Sequence, residues 1–165
     1  MATDSQLFLQ AATTGDLSTI ETLYLHNPTL LTVKDGPTGR TALHLATLHG
    51  HTELLERLLA YNINLSLADT QGQTALHIAA QQSSSTIVKA LLKRSADQSI
   101  RDRQGRTPLF YAYQNASPEV LGCFLDYSPA YESKMQCGLT PEIILRAGAG
   151  RKWTPMHVSV GSQGL

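Results

Sequence analysis

The chain has 165 residues, 42% of them hydrophobic, which is enough apolar material for one ordinary domain or one short array with a core. Thirteen basic residues balance thirteen acidic ones, so the electrostatic footprint of a general nucleic-acid or membrane-surface binder is missing at the level of the whole chain. No run approaches the roughly 18 apolar residues of a spanning helix. Met1 to Gln6 carry an acid and no basic n-region, and two cysteines, Cys123 and Cys137, make no disulfide framework. An intracellular protein without membrane insertion is expected.

Thr41-Ala42-Leu43-His44 returns as Thr74-Ala75-Leu76-His77, and Thr107-Pro108-Leu109-Phe110 and Thr140-Pro141 keep the same interval of 33 residues. A fixed period of this size means one supersecondary unit copied along the chain, and such units fold by stacking because none buries its apolar face alone. The turns Asp69-Thr70-Gln71-Gly72-Gln73-Thr74 and Asp102-Arg103-Gln104-Gly105-Arg106-Thr107 repeat an Asp-x-x-Gly-x-Thr pattern. Thr41 to Ala46, Gly50-His51 and the aliphatic Leu54, Leu55, Leu58 and Leu59 then follow in the second unit. In these residues the chain resembles the ankyrin repeat family, from about Gln6 to about Leu145. The resemblance implies an all-α solenoid of helix-turn-helix units joined by β-turn-like loops, about four to five repeats including degenerate caps. The array is expected to fill 1–150, in units near 5–35, 36–69, 70–102, 103–135 and a truncated cap at 136–150, with an irregular tail at 151–165.

In chain order, the first unit emerges when Gly15-Asp16 is aligned with Gly50-His51, which places Gln6 where later units have threonine. Asp4, Ser5, Gln6 and Gln10 then belong to the outer side of a cap, and Ile20, Leu23 and Tyr24 to the inner side. The Gly36-Pro37-Thr38-Gly39 turn is longer than its counterparts and stretches the first interval to 35 residues. In the second and third units the stripes Leu54, Leu55, Leu58, Leu59 and Ile87, Val88, Leu91, Leu92 predict one wide apolar face on each second helix. Ser83-Ser84 replaces Gly50-His51 in the third unit, so a looser turn with a hydroxyl cap is expected there. The fourth unit keeps Val120, Leu121, Phe124 and Leu125, places Pro118 in a helical first turn, and has Phe110 and Tyr113 where the second unit has His44 and Thr47. Beyond Thr140-Pro141 the pattern decays into Gly148, Gly150, Arg151 and Lys152. Trp153-Thr154-Pro155-Met156-His157 resembles another repeat opening only 14 residues after Thr140. It is either an irregular tail or an array cut short, whose unfinished face would carry the single tryptophan and support self-association.

Six histidines raise a metal or acid/base reading, yet His44, His49 and His51 do not follow the i, i+4 spacing of a helical zinc pair with its carboxylate. By resemblance, His44 and His77 hold the position whose ring hydrogen-bonds between a repeat and its neighbouring loop, and His51 sits in the Gly-His turn. His49 takes a variable position on the open side, and His26 is expected in a solvated loop. Cys123 falls beside the core stripe as a small inert hydrophobe. Cys137, near Lys134, is expected as an accessible thiol with no histidine placed to activate it. No nucleotide loop, nucleophile elbow or paired metal-ligand motif occurs, so no cofactor, metal or catalytic residue is assigned.

The resemblance also implies a concave face built from turn tips and first-helix ends, used to grip another protein. At the tips these positions are Thr38 and Arg40, then Thr70, Gln71 and Gln73, then Arg103, Gln104 and Arg106, with Gln136 and Leu139 beyond. At the helix ends they are Thr13 and Thr14, Leu48 and His49, Gln81 and Gln82, then Tyr113, Gln114 and Asn115. The face is rich in amides, with Arg40, Arg103 and Arg106 as fixed charges, and suits a partner offering backbone groups, hydroxyls and a carboxylate or phosphate. Tyr113, Arg103 and Arg106 are the expected hot spots. The leading expectation is a non-catalytic adaptor, scaffold or inhibitor. Small-molecule binding or groove chemistry by His49, Tyr113 and Arg106 is the alternative, and it needs a closed pocket.

Overall fold

The structure, a computed structural model, describes residues 2–127, and the expected cap at 136–150, the tail, Trp153 and Cys137 lie outside them. Eight α-helices form four antiparallel pairs: α1 Asp4–Thr14 with α2 Leu17–His26, α3 Ala42–Leu48 with α4 Thr52–Ala60, α5 Ala75–Gln81 with α6 Ser85–Lys93, and α7 Pro108–Gln114 with α8 Pro118–Asp126. A 3-10 turn, Pro28–Thr32, follows α2 and buries Leu30 and Leu31. The described residues contain no strand.

Helices of seven to nine residues are too short to persist alone; packing holds them. The first helices pack in one row, α1 on α3, α3 on α5 and α5 on α7, while α4, α6 and α8 pack in a second row behind. The expected stripes form the seam between the rows. Leu54, Leu55 and Leu58 in α4, Ile87, Val88 and Leu91 in α6, and Val120 and Phe124 in α8 are each at most 1% exposed. Every fully buried aliphatic side chain of this kind contributes about 1.5–3 kcal/mol.

Four expectations change in detail. The Gly15-Asp16 alignment holds, since Gly15 is left-handed like Gly50 and Asp16 stands at the N-cap of α2 as His51 does at that of α4. However, α1 runs farther toward the N-terminus than α3 does, so its cap is Thr3 rather than Gln6. Gln6 instead returns its side chain to the Thr3 N–H at 3.0 Å and donates its own N–H to Thr3 Oγ1 at 3.3 Å, a capping box. His26 is not in a loop: it ends α2, exposed, with Nδ1 donating to Thr22 O at 2.7 Å. The Ser83 turn is no looser than its counterparts. Ser83 adopts φ 55 where Gly50 has φ 70 and Ala116 φ 49, and Ser84 N–H reaches Ala79 O at 3.1 Å as His51 N–H reaches Ala46 O at 2.9 Å. Stacking therefore imposes the left-handed turn on serine at a strain cost. Ser84 stands at the N-cap of α6, but its hydroxyl makes no cap hydrogen bond.

Candidate partner-binding surface

Each turn tip is a hairpin-like loop organised by one aspartate. Asp35, Asp69 and Asp102 close the loops with backbone bonds to Arg40, Gln73 and Arg106 at 2.8, 2.9 and 2.9 Å. Their Oδ1 atoms collect the N–H groups at the turn: Thr38 and Arg40 for Asp35, Gln71 and Gln73 for Asp69, Gln104 and Arg106 for Asp102, all at 2.8–2.9 Å. The tips are tied in a row, because Thr70 N–H donates to Thr38 O and Arg103 N–H to Gln71 O, both at 2.9 Å. Glycine is required at Gly72, where φ is +76 and a Cβ would sit 2.9 Å from the Arg103 nitrogen.

Behind the tips, His44 and His77 lock unit to unit. The His44 Nδ1 accepts from the Thr41 N–H at 3.2 Å and hydroxyl at 2.8 Å, so its Nε2 carries the proton and donates to Gln73 O at 3.0 Å. His77 repeats this with Thr74 and with Arg106 O at 3.1 Å. Burial lowers the pKa of both imidazoles and keeps them neutral. The relay that the resemblance implied is present at both positions. His51 is a third link, its Nε2 donating to Thr13 O at 2.9 Å while its ring lies against Gly15.

Several residues of the expected face are turned to internal work. Gln82 donates to Leu48 O at 2.6 Å, and Asn115, one repeat on, donates to Gln81 O at 2.5 Å, so each amide caps the first helix of the preceding unit. Gln73 donates to the Tyr111 hydroxyl at 3.0 Å, which donates in turn to Asp102 Oδ2 at 2.6 Å. Arg106 gives its Nε to the same Oδ2 at 3.1 Å and lays its guanidinium over the Tyr111 ring, 4.6 Å from the centroid. Burial raises the Asp102 pKa, but the Tyr111 hydroxyl and the surrounding N–H groups outweigh it and hold the carboxyl near 2. Asp35 is likewise lowered against its burial by Thr38 and Arg40. Arg40 rests 3.6 Å from Asp69 Oδ2, and its buried Nε has no hydrogen-bond partner.

Thr70, Gln71, Arg103 and Gln104 remain exposed at the tips, and His49 and Gln114 at the helix ends, with no side-chain hydrogen bond among the described residues. Thr38 bonds its hydroxyl to Asp35 at 2.6 Å. Leu48 and Gln81 are half-buried. Tyr113 occupies the position of Thr47 and Ala80, both fully buried, and packs partly against the core. Thr13 and Thr14 turn their hydroxyls onto carbonyls of α1. Tyr111 was missed by sequence reasoning. Its signal was a phenol standing where the preceding units have Leu45 and Ile78, close to Asp102.

His49, Tyr113 and Arg106 are not drawn into a common hydrogen-bonded group: His49 faces His51 with centroids 6.0 Å apart, and Arg106 is held by Asp102 and Tyr111. Among the described residues no group of three or more metal-ligating side chains occurs, and no helix is long and apolar enough to cross a membrane. Cys123 is buried, donates to Glu119 O at 3.1 Å, and has its pKa raised by burial.

Paired helices stacked in register, with aspartate-closed tips along one edge, define a helical repeat solenoid whose products are surfaces. A family model described as ankyrin repeats in three copies matches residues 8–102 and 64–136, and the chain belongs to the ankyrin-repeat family. Among solved structures, it is similar to a chain of the crystal structure of the yeast ribosomal protein Rps3 in complex with its chaperone Yar1. The two are 27% identical with a TM-score of 0.69 over 76% of this chain and 93% of that one. No curated protein matches it.

Proposed function

We propose that this protein is a non-catalytic interaction module, an adaptor, scaffold or inhibitor that holds another protein against its tips and first helices. The observation that carries this reading is the division of polar side chains along the tips. Asp69 and Asp102 are spent inside, while Thr70, Gln71, Arg103 and Gln104 stand outward on a backbone fixed by inter-tip hydrogen bonds. Polar side chains on a fixed backbone lose less entropy on binding than the same side chains on a loop that must first be ordered. Membership of a repeat family supports the reading, as does similarity to a chain from a two-protein complex. An intracellular setting suits a chain whose described cysteine is a buried free thiol.

The test is affinity capture from source-cell extract with the wild type and a Gln71→Glu, Arg103→Glu, Gln104→Glu variant, both shown folded by circular dichroism. These three side chains make no internal hydrogen bond, whereas Gln73 and Arg106 belong to the Tyr111–Asp102 network and would confound folding with binding. A protein retained by the wild type and lost by the variant supports the module. Identical capture by both removes the tips from the function.

A further inference from the structure

The neutral chain does not spread its charge evenly. The three tips hold five cations, Lys34, Arg40, Arg101, Arg103 and Arg106, against three carboxylates, and those carboxylates face inward. The Asp69 and Asp102 side chains are each 1% exposed, and Asp35 is half-buried beneath its own loop. The first helices α3, α5 and α7 contain no Asp, Glu, Lys or Arg. Behind the tips, the exposed acids Glu53, Glu56, Asp97, Glu119 and Asp126 are offset by the exposed Arg57, Lys89, Lys93 and Arg94. The charge that the tip edge shows to solvent is therefore positive.

The cations are also held in place. Lys34 donates to Ala68 O at 2.6 Å, Arg101 to Gly105 O at 2.9 Å, and Arg106 is clamped through Nε with its terminal nitrogens uncommitted. Arg40 and Arg106 are equivalent positions two units apart, with Gln73 between them. Their side chains differ, however: Arg40 reaches forward to Asp69 of the next tip, whereas Arg106 stays on Asp102 of its own. The two guanidinium groups therefore rest on equivalent carboxylates one unit apart, about 8–10 Å at the spacing of packed helices. An extended chain advances about 3.3 Å per residue, which matches a spacing of about two or three residues.

Resting on the interaction-module reading, we infer that the partner presents an extended acidic segment along the tips, with carboxylates about two or three residues apart meeting Arg40 and Arg106, and Arg103 adding a third contact. Guanidinium forks take carboxylates bidentately, and the amides of Gln71 and Gln104 suit the intervening peptide groups. Complementary charge of this kind sets specificity and association rate. A polynucleotide fits less well, because the exposed tip residues Thr70, Gln71, Arg103 and Gln104 include no aromatic platform for bases.

The experiment is selection of a random 12-residue peptide library on the full chain, followed by fluorescence anisotropy of the enriched peptides. The expected result is enrichment of Asp and Glu at about that spacing. Affinity should fall about tenfold on Arg103→Glu, which loses no internal contact, and about tenfold on replacing the selected acids by their amides. It should fall again with added salt. Enrichment of neutral or basic peptides that still depend on Gln71 and Gln104 overturns the charge inference and leaves the module standing. No enrichment of any kind overturns the inference, while capture of a folded protein through the tips would separately sustain the module. Tighter binding of a single-stranded oligonucleotide than of any selected peptide also overturns it.

Discussion

Acidification from pH 7 to pH 5 should loosen this array through two buried imidazoles. His44 and His77 are at most 1% exposed, and each already accepts at Nδ1 and donates at Nε2, so a second proton would oppose the threonine N–H and hydroxyl donors. Desolvation lowers both pKa values, while the carbonyls of Gln73 and Arg106 and the nearby carboxylates raise them less, with Asp69 facing His44 and both Asp102 and Asp69 facing His77. The unfolded chain takes up protons near pH 6.5 and the folded chain only lower, so stability is complete above about 6.5 and falls as pH drops toward the folded values. Each histidine that stays neutral costs about 1.4 kcal/mol per pH unit below that point. Between pH 6.5 and 5 this sets a ceiling of about 2 kcal/mol per site and about 4 kcal/mol for both, a large part of an ordinary domain's stability. Asp35 and Asp102 have lowered pKa values, and the stability they lend is lost only at still lower pH. Urea titrations followed by circular dichroism at pH 7.5, 6 and 5 should show this loss in the wild type. They should show a much flatter dependence in a His44→Gln, His77→Gln variant, whatever its stability at pH 7.5. A wild type as stable at pH 5 as at 7.5, or a variant with the wild-type slope, would refute the assignment of these rings as neutral donors.

Tyr111→Phe removes the hydroxyl shared by Gln73 and Asp102 and should cost about 1.5–3 kcal/mol in the same titration, the range for hydrogen bonds to charged groups. Ser83→Gly relieves a left-handed backbone that stacking imposes, and should raise stability by about 1 kcal/mol; an unchanged midpoint would show that the turn is unstrained. Leu91→Ala empties a site that is 0% exposed in the central seam and should cost about 2–5 kcal/mol. Native Cys123 should resist a thiol reagent until urea exposes it, since burial raises its pKa.

The sequence showed its period because the residues that carry it act locally. Thr41 and Thr74 start helices, Gly72 and Gly105 take positive φ, and the leucine stripes follow helical spacing, so each is visible within one unit. The Thr3 cap was hidden because α1 is longer than the internal first helices, and counting back from Gly15 with an internal repeat as ruler stops one turn short. The inward roles of Gln73, Gln82 and Asn115 were hidden for another reason. Their acceptors lie 34 to 38 residues away, and nothing in a local pattern separates an amide that bridges units from one that faces solvent. Ser83 shows the limit of reading a turn from its residue type, because the interval of 33 residues was preserved there and the conformation went with it.

The bridging amides also determine what the outward residues can do. In a stack where each unit touches only its neighbours, the relative angle of successive units fixes the spacing of every tip. That angle is held at three depths: the leucine seam behind, the histidine and amide links through the middle, and the hydrogen bonds between tips in front. The Tyr111 hydroxyl joins the last two layers, since it receives from Gln73 in one tip and donates to Asp102 in the next, while Arg106 lies on its ring. A partner that grips Arg106 therefore pulls on a side chain anchored across two units. Binding there should stiffen the junction between the second and third tips, and loosening that junction by Tyr111→Phe should weaken binding without removing any group the partner touches.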